Sequence, residues 1–189
     1  MKTKYLILTT ALFCTLGGNA IAMTSAEYKT QKDRIAGDYK VNRDKCATLK
    51  SNAKDICVSE AKGTEKIAKA ELEAQYEPSA RHTEQLALAK AEATYDTAKE
   101  KCDDLSGNSK DVCIKDAKAV YVKAKEDAKV AKVGTDTSNT KTEKMNEAKK
   151  HATTEEREAL YKAAKERCDN LAGAAKDTCQ NDAKTKYGM

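Results

Sequence analysis

Two cysteines eleven positions apart recur three times, in RDKCATLKSNAKDICVSEAK (43–62), KEKCDDLSGNSKDVCIKDAK (99–118) and KERCDNLAGAAKDTCQNDAK (165–184). The shared pattern is Tyr-x6-Cys-x2-Leu-x7-Cys-x3-Ala-Lys. It is carried by Tyr39, Cys46, Leu49 and Cys57, by Tyr95, Cys102, Leu105 and Cys113, and by Tyr161, Cys168, Leu171 and Cys179. Internal repetition on this scale marks a supersecondary unit used several times.

Within each unit the apolar residues keep helical spacing. Leu88, Ala91, Tyr95, Ala98, Cys102 and Leu105 follow 3-4-3-4-3 steps, and Cys113, Ala117, Val120, Ala124 and Ala131 continue the stripe after a break. Tyr39, Cys46 and Leu49 in the first unit, and Tyr161, Cys168 and Leu171 in the third, repeat this seam. Tyr39, Tyr95 and Tyr161, with Leu49, Leu105 and Leu171, are therefore expected to be packing residues. Midway between the cysteines lie Ser51-Asn52, Gly107-Asn108 and Gly173-Ala174. Such residues suit the end of one helix and the start of the next. An αα-hairpin would then bring the two cysteines face to face near its turn. The competing geometry is one continuous helix, which would hold them roughly 16 Å apart on one face and force pairing with another helix or chain.

The N-terminal segment reads as an export signal. Lys2 and Lys4 precede an apolar run from Tyr5 to Leu16, and Ala20-Ile21-Ala22 fits a cleavage site after Ala22. Removal of residues 1–22 leaves no further segment apolar enough to span a membrane. It also lowers the formal charge from +5 to +3, as two of 35 basic residues go and all 30 acidic ones stay. The balance is close and the signs are interspersed, so the basic stripe that nucleic-acid binding requires is absent. Leu, Ile and Val supply only 18 of the remaining 167 residues. So thin an apolar content leaves a helical array marginal unless something else holds it. Abundant Ala, Lys and Glu nevertheless favour helix.

Six cysteines in three equal spacings on an exported chain read as three disulfides. Zinc binding is the alternative, but pairs with ten residues between them do not match its usual close ligand spacing, and His82 and His151 lie outside the repeats. A redox role would favour Cys-x-x-Cys, which is absent. No Ser-His-Asp set, phosphate-cradling loop or convergent acid pair is present, so neither catalytic residues nor a cofactor are expected.

The stretches AKEKCDDLSGN (98–108), AELEAQYEPS (70–79) and DAKTKYG (182–188) resemble a family of small exported proteins of Gram-negative bacteria, some of them labelled cell envelope biogenesis or TolA-like. The resemblance implies a helical form, a periplasmic location and envelope surroundings. It carries over no functional residues and no Tol–Pal mechanism.

The expected organisation is all-α, with three αα-hairpin repeats, elongated or loosely bundled. A signal peptide spans 1–22, hairpin 1 spans 23–77 and hairpin 2 spans 78–133. A linker with room for a short helix spans 134–152, and hairpin 3 spans 153–189. Thr153 and Glu156 are expected to open the last ascending helix as a capping box. Two functions fit this pattern: a non-enzymatic structural or interaction protein of the cell envelope, and a stress-protective or holdase-like helical protein. Partners would be envelope proteins or further copies of the chain.

Overall fold

The computed structural model describes residues 23–189. The expected export signal and its cleavage site lie outside the described residues. Six helices follow one another: α1 (Ser25–Lys45), α2 (Ser51–Tyr76), α3 (Ala80–Cys102), α4 (Gly107–Gly134), α5 (Lys141–Arg167) and α6 (Gly173–Tyr187). The described residues contain no strand.

Local chemistry sets the starts and stops. Thr24 and Glu27 form a reciprocal capping box at the head of α1. Ser79 caps α3 by accepting from the His82 N–H. Between α2 and α3, Pro78 excludes helical geometry at Glu77, which sits at φ −130° and ψ 82°. At the paired cysteines the first helix ends in a tight turn, closed by Leu49 N–H onto the Cys46 carbonyl. Leu105 and Leu171 close the same turn onto Cys102 and Cys168. The next residue but one then takes positive φ: Ser51 at 49°, Gly107 at 57° and Gly173 at 54°. Space is not the reason for glycine there, since a Cβ at Gly107 or Gly173 would meet nothing within 4 Å. The backbone angle is the reason, because the left-handed region costs any residue with a Cβ. Ser51→Gly is therefore expected to stabilise the first hairpin by about 1 kcal/mol, read as a rise in the denaturant midpoint.

Each helix packs on its sequence neighbours: α1 on α2, α2 on α3, and so on to α6. The result is an open array of antiparallel helices in place of a closed bundle, and contacts are local along the chain. The three cysteine turns lie along one edge. The connections at Glu77–Ser79 and Thr135–Thr140 lie along the other. Few large side chains are buried. The core consists mainly of alanines, among them Ala61, Ala89, Ala93, Ala119, Ala159 and Ala163, with Ile35, Leu72 and Val122.

The expected linker over 134–152 is much shorter. α5 begins at Lys141 and runs unbroken to Arg167, so the helix expected near Lys144–His151 is its first half. Thr153 lies inside that helix, and its hydroxyl donates to the Lys149 carbonyl where a capping box was expected. The polar run 135–140 closes on itself, because Asp136 accepts from the Ser138 N–H and from Lys144 Nζ. The Lys/Glu/Ala-rich residues that follow are strong helix formers and pack on α4.

Candidate functional site

Disulfides join Cys46 to Cys57, Cys102 to Cys113 and Cys168 to Cys179, with Cα–Cα distances of 5.6, 5.7 and 5.7 Å. Each bridge staples two antiparallel helices just inside their turn, which rules out the continuous-helix geometry. Cys46, Cys102 and Cys168 are fully buried. Because all six sulfurs are bonded to each other, none is a thiolate available to a metal. Bridges of this kind belong to an oxidising environment. Among the described residues no helix is long and apolar enough to cross a membrane.

The repeat tyrosines and leucines part company. Tyr39, Tyr95 and Tyr161 are half-buried. Tyr95 stacks on Tyr121 across α3 and α4 at 5.1 Å between ring centres, and Lys118 Nζ lies 4.6 Å from the Tyr121 ring. The expectation that Leu49, Leu105 and Leu171 pack in the seam is corrected, since they are 41 %, 45 % and 42 % exposed. The helix stops before each of them. Leu49 and Leu171 take extended backbone angles, which carries the side chain off the helical face. What the turn uses is the leucine backbone N–H.

The junctions between hairpins were not legible as a site, yet they share a three-part signature. First, small residues meet at closest approach. A Cβ added at Gly63 on α2 would lie 2.8 Å from the Ala93 Cβ on α3, and the equivalent residues Ala119 and Ala159 share one core cluster. Second, an asparagine crosses the junction. Asn52 Nδ2 donates to the Glu100 carbonyl at 2.7 Å, and Asn108 Nδ2 donates to the Glu166 carbonyl at 2.8 Å. These asparagines add a second donor to carbonyls in the last turn of the neighbouring helix, where the regular helical bonding pattern ends. Third, an acid on one helix pairs with a base on the next: Glu60 with Lys101 at 3.4 Å, and Asp116 with Arg167. Both pairs are exposed, so they contribute to register more than to stability.

Among the described residues one charged side chain is buried. Glu126 on α4 is 1 % exposed and accepts from Lys129 Nζ at 2.8 Å and faces His151 Nδ1 on α5 at 3.1 Å. Burial pushes its pKa up, but Lys129, His151 and Lys125 more than reverse that and hold the carboxyl below its ordinary value. A lowered folded value means the stabilisation is complete above the ordinary value of 4.5 and is lost as pH falls through the folded one. Its partners are exposed to solvent, so Glu126→Gln is expected to cost only about 1–2 kcal/mol at neutral pH. Denaturant unfolding should show the gap between wild type and variant closing from neutral to strongly acid pH. A gap independent of pH would contradict the assignment.

An apolar groove of about 670 Å³ runs between α3 and α4, lined by Ala87, Ala91, Tyr95, Val120, Ala124 and Ala131 among others. Val120, 63 % exposed, is its most open large apolar side chain. Among the described residues no group of three or more His, Cys, Asp or Glu side chains is placed to hold a metal ion. Comparison with protein-family models, curated proteins and solved structures gave no match.

Proposed function

We propose that this chain is a non-enzymatic structural or interaction protein of the periplasm, acting in the cell envelope as a stapled helical scaffold. The observation that carries this reading is the open array. Each helix spends only its flanks on its sequence neighbours, so the stapled edge and the outer helices stay available to partners. Disulfides hold the hairpins rigid where alanine interfaces alone would not, and a rigid surface loses less entropy on binding. The N-terminal signal pattern supports export, and the bridges agree with an oxidising destination. Fractionation and covalent capture in intact cells test the proposal. Expected is a periplasmic chain that crosslinks to a reproducible set of envelope proteins, with the set lost when the bridges are removed. A cytoplasmic chain, or capture with no reproducible partner, would overturn it.

The groove between α3 and α4 supports a second reading, as a holdase-like protein. An exposed apolar channel lined by alanine, valine and tyrosine suits transient contact with apolar segments of unfolded clients. Suppression of heat-induced aggregation of unrelated proteins, weakened by Val120→Glu, is the result this reading requires. Equal protection by the variant would set the groove aside.

A further inference from the structure

We propose that copies of this chain join end to end, the outer face of α6 in one copy docking on the outer face of α1 in the next. The inference goes beyond the scaffold reading and does not depend on the compartment. It rests on the junction signature that already occurs twice inside the chain.

The signature can be followed by repeat position to α1 and α6, the first and last of the described helices. On α1, Lys45 stands where Lys101 and Arg167 stand on α3 and α5, 56 and then 66 residues later. On α6, Asp182 stands where Glu60 and Asp116 stand on α2 and α4. Those internal acids and bases pair across both junctions. The two outermost described helices thus carry one acid and one base, each at the position where its counterparts meet.

The small-residue contact is also kept, with the sizes exchanged. Gly63 meets Ala93, and Ala119 lies in one cluster with Ala159. The equivalent residues at the ends are Thr185 on α6 and Gly37 on α1. Thr185 is larger than the residues it replaces, and Gly37 is smaller than Ala93 or Ala159. Within one copy Gly37 has no steric purpose, because a Cβ there would meet nothing within 4 Å. An exposed glycine inside a helix nonetheless costs about 1 kcal/mol relative to alanine. A close approach by a second helix would give it a use. Val41, on the same face, is 56 % exposed, whereas its equivalent on α5, Ala163, is buried.

The asparagine bond is missing. Ala174 stands where Asn52 and Asn108 bond the neighbouring helix. End-to-end contact therefore has two of the three elements and is weaker than an internal junction. Two different faces meet, so the contact is heterologous and builds an open series unless the rotation closes it.

Sedimentation velocity on the oxidised full chain, from low micromolar to near-millimolar concentration, tests this. The average mass is expected to climb with concentration without stopping at a dimer. Ala174→Asn restores the missing bond and should shift the climb to about fivefold lower concentration, the factor that a net hydrogen bond of about 1 kcal/mol gives. Lys45→Asp sets two acids against each other and should shift the climb to higher concentration, and adding Asp182→Lys to it should shift it back. Wild type and Ala174→Asn both remaining monomeric throughout would overturn the proposal. So would a Lys45→Asp chain that associates as wild type does.

Discussion

Replacing Cys102 and Cys113 together by alanine is expected to lower the unfolding free energy by about 3 kcal/mol, the cost of freeing a loop of this length in the unfolded chain. The effect is large because so little else holds the hairpin. Its buried side chains are mostly alanines, and a buried alanine removes little apolar area from water. The bridges sit in separate hairpins, so their contributions should add nearly independently. Three of them amount to about 8–9 kcal/mol, comparable with the whole stability of about 5–15 kcal/mol that a domain usually has. Full reduction is therefore expected to leave the helices frayed at ambient temperature. Circular dichroism across a denaturant series, with and without reductant, measures this. Superimposable curves would show that the staples are dispensable.

Gly63→Val is the second large effect. The α2–α3 junction closes to the point where even one added carbon at Gly63 would lie 2.8 Å from the Ala93 Cβ. A valine must push the helices apart, at a cost of about 2–3 kcal/mol, and loosen the Asn52 bond to Glu100 farther along. The opposite sign is expected at Gly37, where there is open space. Gly37→Ala should stabilise the dilute chain by about 0.5–1 kcal/mol. Thermal unfolding of the two variants side by side separates close packing from helix propensity, since propensity alone would make both changes stabilising or neutral.

The hairpins could be read from the sequence because their signals are local. Cysteine spacing, a Gly or Asn at the midpoint and one 3-4 stripe per helix all lie within twenty residues. What failed also has a physical reason. Leu49, Leu105 and Leu171 continue the helical stripe in sequence, but the helix stops before them, and periodicity cannot register a backbone that has turned. The linker expected over 134–152 rests on the run GTDTSNTKT, but only residues 135–140 lie between the helices, because those after them are strong helix formers. The junctions were missed because an inner helix of an open array has two packed flanks. The second flank here consists of residues such as Gly63, Ala89 and Ala93, which carry almost no hydrophobic signal. Asn52 and Asn108 looked like caps for their own helices, and they bond the helix next door. Nothing in the sequence sets Glu126 apart from the other acids of α4, since its burial against His151 is a tertiary fact.

The repeat takes on a sharper meaning once the junctions are included. Asn52 and Asn108 each bond the first helix of the hairpin that follows, and Ala174 holds the equivalent position on α6. The units are thus built both to hold themselves closed and to hold their successor in register. That double role suits a scaffold, whose purpose is to present surfaces at fixed spacing.

Peptide mapping of the non-reduced native protein is the most direct test of the stapled-hairpin array. Three links are predicted, Cys46 to Cys57, Cys102 to Cys113 and Cys168 to Cys179, all within one chain. Links between units, or between chains, would contradict the hairpins and the array built on them.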